Sequence, residues 1–202
     1  MILFDVGANW GQDSLDRTRD DSKVITYAFE PTPELYNHLS HRSFDFSDRY
    51  FVHEVALSDF NGAAQFNVAA HNDWGTSSLL DFSPGLDQTW AGRHDFYVDR
   101  KIDVKVMRFD TWFEAAKPKI NRIDFFHCDT QGSDLRVLRG MGDYIDLIVE
   151  GVIEVPDSPE VMLYQGQHSK DEAISFLTER GFEISNIVHQ QNEQNLFFRK
   201  IK

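Results

Sequence analysis

Three acids in this chain stand where chemistry on a bound ligand is easiest to do. Asp5 closes the apolar run Ile2-Leu3-Phe4 and is followed by Val6-Gly7-Ala8-Asn9-Trp10-Gly11, a glycine-spaced turn. Glu30 closes a second run, Val24 to Phe29, and Pro31 follows at once. Asp129 closes a third, Ile123-Asp124-Phe125-Phe126-His127-Cys128, and leads into Thr130-Gln131-Gly132. In open α/β sheets, ligands bind at the carboxyl ends of the strands. A carboxylate held there can accept hydrogen bonds from ribose hydroxyls, or take the proton of a hydroxyl that is about to react. Glu30, 25 residues beyond Asp5, suits the first task, and Asp129, ending a central strand, suits the second. Glu154 and His127 are the next candidates for proton transfer, and His168 could enter from a loop.

The glycine turn narrows the ligand. Glycines allow a tight turn and a close approach of the backbone, and free amides at the next helix start favour an anionic group. A dinucleotide fingerprint needs G-x-G-x-x-G, but the frame from Gly7 puts Asn9 and Gln12 in the second and third places, which speaks against a nicotinamide dehydrogenase. No lysine follows Gly11, so the phosphate-cradling loop is absent too. The eight histidines are scattered and there is one cysteine, so no metal-binding spacing and no internal disulfide is available. Cys128 reads as a small buried hydrophobe in its strand. A net charge of −13 argues against nucleic acid and anionic membrane as partners. No apolar run nears the ~20 residues that cross a bilayer. The chain starts straight into a strand, leaving no room for a leader, and the expected compartment is the cytoplasm.

The elements that must position these acids follow in order. Asp13 to Asp21 reads as a short helix with its loop, and Thr32-Pro33 as the start of a helix whose apolar side is Leu35, Tyr36 and Leu39. Strand, helix, strand, helix predicts a parallel sheet covered on both faces. A third strand is expected over Tyr50 to Leu57, then a turn at Asn61-Gly62 into an alternating hairpin stretch, Ala63 to Val68. Residues 70–95, with His71, Asn72, Asp73, Trp74, Ser77, Ser78 and Trp90, are the least regular and suit either a substrate lid or a tolerated surface insertion. Ile102 to Val106 alternates as a strand, and Asp110 starts a short helix that Pro118 ends. Ser133 or Asp134 can cap a helix over Leu135 to Arg139, with Gly140 as its stop. A strand from Ile145 to Val149 continues towards Glu154, and a loop through Tyr164 to His168 precedes a helix from Asp171 to Arg180. Glu183 to Val188 and Asn195 to Arg199 pair as a final antiparallel hairpin. At 202 residues, without repeat or linker, one domain is expected.

D-x-G-x-N-x-G at Asp5 to Gly11 resembles the first motif of class I S-adenosylmethionine-dependent methyltransferases, and the chain as a whole resembles their FkbM family. The resemblance runs through Phe29-Glu30-Pro31, Val55-Ala56-Leu57-Ser58-Asp59, Gly75-Thr76-Ser77-Ser78-Leu79, Arg108-Phe109-Asp110 and Ile123 to Asp134. Val137 to Met141, Phe176-Leu177 and Gly181-Phe182 extend it over nearly the whole chain. It implies a Rossmann-like α/β fold: a mostly parallel seven-stranded sheet, helices on both faces, and an antiparallel last strand. It also implies S-adenosylmethionine as methyl donor and O-methylation of a sugar, glycan or natural-product hydroxyl. By the same resemblance Asp5, Gly7, Ala8, Asn9 and Gly11 shape the methionine pocket, and Glu30 with Pro31 holds the ribose. Ser58 and Asp59 lie by the adenine, and Asp129 faces sulfonium and acceptor. Gln131 and Ser133 would touch the acceptor, and Trp74, Ser77 and Ser78 would belong to the lid. The family usually has lysine where this chain has His127, and usually carries chain before the first strand. Two rival readings are a non-catalytic module on the same fold that binds cofactor or protein, and an RNA ribose methyltransferase. The latter needs a lysine-rich tetrad and a basic groove that are not visible here.

Overall fold

The computed structural model describes residues 1–69 and 74–201. The sheet begins with β1 (Ile2–Val6), then α1 (Leu15–Asp20), β2 (Ile25–Phe29), α2 (Pro33–Arg42), β3 (Tyr50–His53), β4 (Ala56–Ser58) and β5 (Gly62–Ala69). A 3-10 turn at Trp74–Thr76 and the short α3 (Leu86–Thr89) lead to β6 (Val98–Arg108), α4 (Phe109–Ala116), β7 (Ile123–Cys128) and α5 (Asp134–Gly140). The chain ends with β8 (Ile148–Pro156), α6 (Lys170–Glu179), β9 (Phe182–His189) and β10 (Glu193–Lys200). Seven strands form one sheet in the order β3-β2-β1-β7-β8-β10-β9, and β10 runs against both its neighbours while the other pairs are parallel. The class is the expected Rossmann-like α/β fold, with β1 and β7 side by side at its centre.

Parallel strands covered on both faces read as continuous apolar runs, and β1 does so: Leu3, Phe4, Asp5 and Val6 are all buried. On one face Phe4, Phe29, Phe109, Trp112 and Phe126 pack as one aromatic cluster, with the Trp112 ring edge-on to Phe4 at 5.7 Å between centroids. Each such ring contributes roughly 1.5–3 kcal/mol by leaving water. The other face is closed by Ala8, Leu15, Leu39 and Tyr50 from the glycine turn, α1, α2 and β3. Two glycines are required sterically. Gly7 has φ +81°, and a Cβ there would stand 1.9 Å from the Asp129 carbonyl oxygen, so the β1 turn closes directly on the end of β7. Gly140 is the last residue of α5, as expected, and a Cβ there would sit 2.1 Å from the Ser58 carbonyl oxygen where α5 crosses β4.

Other local expectations give way to tertiary pairing. The expected strand over Tyr50 to Leu57 is broken at Glu54-Val55: β3 stays in the main sheet, while β4 joins a three-stranded sheet in the order β4-β6-β5. The stretch after Asn61-Gly62 pairs antiparallel with β6, Phe66 opposite Ile102, rather than folding back on β4. Ile145 to Leu147 form the end of a 3-10 turn, and β8 begins only at Ile148. Thr32 and Ser133 sit at the starts of α2 and α5 without a side-chain cap. Ser169 and Glu172, by contrast, form a reciprocal capping box on α6, on the Ser-x-x-Glu spacing of the sequence.

The residues expected to form a lid are held down at their far end. Trp90 is buried against Leu86, Leu163 and Tyr164, and its indole N–H donates to the Val161 carbonyl at 3.0 Å. Ala70, His71, Asn72 and Asp73 lie outside the described residues.

Candidate active site

A cleft partly open to solvent lies over the carboxyl ends of β1, β2 and β7. At one end stands Glu30. Its Oε2 accepts the Asn9 backbone N–H and its Oε1 accepts that of Thr32, both at 2.9 Å. Each oxygen therefore keeps a lone pair for a ligand, and neither can turn away. Asn9 reaches this position with φ +49°, an uncommon conformation for a residue other than glycine. Burial raises the Glu30 pKa, and the two backbone donors and Thr32 pull it back.

The walls beside Glu30 are apolar: Phe29, Leu35, Val55, Ala56, Leu57 and Phe66. Ser58 and Asp59 are not part of the lining. Ser58 is fully buried beneath α5, and the Asp59 carbonyl accepts from the Arg108 guanidinium. The break after β3 explains the difference, since it turns Val55-Ala56-Leu57 inward in their place. Gly7, Asn9 and Pro31 line the cleft, whereas Ala8 and Gly11 pack behind it.

The other end is charged. Asp129 lines it at the tip of β7, with Asp13 and His127. His127 Nδ1 lies 2.8 Å from Asp5 Oδ1, and its Nε2 lies 4.0 Å from the Asp13 carboxylate. Asp5 is therefore not a lining residue: it is 1% exposed and stands behind His127. Burial alone would lower the imidazolium pKa, but the hydrogen bond and charge of Asp5, with Asp13 and Asp129, outweigh it and raise it to about 9. His127 is thus a cation at neutral pH. Among the described residues that line the cleft it is the sole basic side chain.

Asp129 belongs to a group of acids with Asp134, Glu154 and Glu193. Burial raises the pKa of each; mutual repulsion then carries Asp134 to about 7 and Glu193 to about 8, and Glu154 well above its ordinary value. For Asp129, His127 and Gln131 oppose the rise. Glu154 lies behind the lining, bridged to Asp129 by the Gln131 amide. His168 is far from the cleft floor, with Nε2 against the Arg139 guanidinium on α5 at 2.7 Å. Of the expected acceptor contacts, Trp74, Ser77, Gln131 and Ser133 line the cleft, while Ser78 donates to the Gln131 carbonyl at 2.6 Å. Trp74 stacks on Trp10 of the glycine turn, 5.7 Å between centroids and 10° from parallel, and so covers the mouth. Tyr164 was not anticipated from sequence. It is buried, and its hydroxyl reaches both the Thr76 carbonyl and Gln131 Oε1 at 2.8 Å. No local pattern announces it; only the fold brings it here.

The residues present fit S-adenosylmethionine. A carboxylate with two free lone pairs matches a ribose diol, an apolar slot matches adenine, and acids match a sulfonium and an ammonium. Asn9 Oδ1 lines the cleft buried and without a partner, which leaves an acceptor for a ligand donor. Among the described residues no acid, histidine or cysteine group is arranged to hold a metal ion, and no helix is long and apolar enough to cross a membrane.

Comparison with known proteins agrees. The Methyltransferase FkbM domain matches residues 5–184. The 2-O-methyltransferase NoeI of Sinorhizobium fredii is 28% identical over 142 residues. That match takes in 69% of this chain and 56% of NoeI, so the chain spans little more than half the length of this curated relative. Two solved structures share the fold. One is an S-adenosylmethionine-dependent methyltransferase from Aquifex aeolicus, with TM-score 0.50, 12% identity, and 100% and 82% of the two chains covered. The other is TrmK of M. capricolum with S-adenosylhomocysteine, with TM-score 0.50, 11% identity, and 100% and 63% covered.

Proposed function

The chain belongs to the FkbM methyltransferase family, and on that premise we propose that it methylates a hydroxyl of a sugar or glycan, with S-adenosylmethionine as donor. One observation carries the reading: a single cleft joins a carboxylate set for a diol, Glu30, to a buried carboxylate set for a proton, Asp129. The donor supplies, when bound, an activated methyl on a sulfonium. Glu30 and Asn9 hold its ribose and adjoining polar groups, Val55 to Leu57 its base, and the acids at the far end its charged portion. Trp74 and Ser77, brought over the mouth by the segment that Trp90 anchors, form the cover that excludes water.

The protein's own chemistry is at Asp129. A sugar hydroxyl is a weak nucleophile until a base accepts its proton, and a positioned base is worth roughly 10²–10⁴-fold. Placing donor and acceptor in line contributes roughly 7–11 kcal/mol more. An Asp129 carboxylate oxygen takes the proton, and cationic His127 favours the ionised form that can do so. Glu154, bridged to Asp129 by the Gln131 amide, is the second carboxylate at this end. Two features support an O-directed reaction: the relative's 2-O activity, and a base that a neutral amine acceptor would not need. The net charge of −13 weighs against an RNA acceptor.

The test is incubation with methyl-tritiated S-adenosylmethionine and a panel of free sugars and oligosaccharides. Wild-type protein should move label into a base-stable sugar ether, and Asp129→Asn should do so roughly 10²–10⁴-fold more slowly. Label passing to an amine or to RNA would overturn the acceptor, and an undiminished Asp129→Asn rate would overturn the base.

A further inference from the structure

Separate segments of the chain converge on one residue beside the cleft. Gln131 holds φ +53°, which a glutamine rarely adopts without being forced. Its backbone carbonyl accepts the Ser78 hydroxyl at 2.6 Å, from the segment that covers the mouth. Its side-chain oxygen faces the Tyr164 hydroxyl at 2.8 Å, from the loop after β8. Gly132 must be glycine for this approach, since a Cβ there would meet the Tyr164 ring at 2.8 Å. With its oxygen so occupied, the amide nitrogen points the other way, donating to Asp129 Oδ1 at 2.6 Å and to Glu154 Oε2 at 3.3 Å. An amide has two N–H groups and both are spent on these acids.

We propose that Gln131, oriented by Tyr164 and Ser78, is a positioning residue that holds Asp129 and Glu154 as one bridged pair and keeps the Asp129 carboxylate ionised and aimed at the cleft. Two buried acids this close would otherwise share a proton, and a shared proton removes the base. The two carboxylates accept only, so they draw the amide nitrogen, and the amide oxygen is left towards the Tyr164 hydroxyl, whose one proton lies between it and the Thr76 carbonyl. The groups that face Asp129 are His127 from β7, Asp13 from the turn after β1, Asp134 at the start of α5, Glu154 from β8 and Glu193 from β10. All but His127 are acids, so Gln131 and His127 alone stand against protonation. The hydrogen bond from Gln131 lowers the proton affinity of Asp129 and Glu154 alike.

The consequence for turnover rests on Asp129 being the base, but the arrangement itself can be measured without any acceptor. Carbon-13 NMR of the aspartate side-chain carboxyls gives the Asp129 titration directly, with the signal assigned by its loss in Asp129→Asn. In Gln131→Leu the Asp129 midpoint should move up by about one pH unit or more, since a hydrogen bond to a charged group is worth at least tenfold in proton affinity. Tyr164→Phe, which keeps the ring on Gly132, should move it in the same direction by less, and serves alone if Gln131→Leu does not fold. An Asp129 midpoint unmoved, or moved down, in a folded variant overturns the proposal. If Asp129→Asn kept full methyl transfer while the midpoints shifted as described, the base assignment would fail and the positioning role would stand.

Discussion

Raising the pH through the range where His127 loses its proton should destabilise this protein in a way that one substitution removes. In the folded state Asp5 Oδ1 lies 2.8 Å from His127 Nδ1, and the imidazolium pKa is raised from 6.5 to about 9. A group that binds its proton more tightly when folded stabilises the fold fully below its unfolded pKa. It loses that contribution as pH rises through the folded value. The window is therefore about pH 6.5 to 9, and at 1.36 kcal/mol per unit the loss is about 3 kcal/mol. That is a large part of the roughly 5–15 kcal/mol that holds a typical domain together. Urea unfolding, followed by the emission of buried Trp90 and Trp112, measures it at half-unit steps from pH 6 to 9.5. His127→Gln is the comparison. It is less stable at low pH, because Asp5 is left buried without a cation, and its stability should change far less across the window. The slope, not the offset, is diagnostic. A wild-type minus His127→Gln difference that stays constant from pH 6 to 9.5 would refute the charged pair.

Two further outcomes follow from the geometry. Glu30→Gln keeps the shape but sets an amide against the N–H groups of Asn9 and Thr32. Calorimetry with S-adenosylhomocysteine should show binding roughly 10–100-fold weaker, and unchanged affinity would remove Glu30 from the site. Gly132→Ala drives a methyl to 2.8 Å from the Tyr164 ring at φ +90°. It should cost roughly 1–3 kcal/mol, a melting temperature lower by roughly 3–10 °C, and a scan within 1 °C of wild type would contradict the packing.

The parts of the fold that were legible in the sequence are those whose cause is local. A strand ending on Asp5-Val6-Gly7, another ending on Glu30-Pro31 and a third on Asp129 with Gly132 each carry their stop signal beside them, and β1, β2 and β7 are where these signals put them. The break between β3 and β4 has no such signal: Val55 to Ser58 leave the main sheet because β6, some fifty residues on, offers a better ladder. Gly140 reads as the helix stop it is, but its close approach to the Ser58 carbonyl cannot be read locally. In the site, the acids could be picked out by type and position, but their partners could not. His127 in a strand looks like any half-buried histidine until register sets it opposite Asp5. Tyr164 lies in a loop with nothing to mark it, and its meaning comes from Thr76 and Gln131, which approach only in the folded chain.

That same register has a kinetic meaning. β1 is made well before its neighbour β7, which lies about 120 residues downstream, and the Asp5–His127 pair spans 122 positions. Pairings so distant in sequence must close a long loop before they return any stability, which makes them late events in folding. During synthesis the first strand therefore emerges with only β2 at hand, and the floor of the cleft is incomplete until residue 129 has left the ribosome. The binding site thus waits for a strand made long after β1, and any ligand that prefers the finished cleft acts on that closing step of folding as well as on the folded protein.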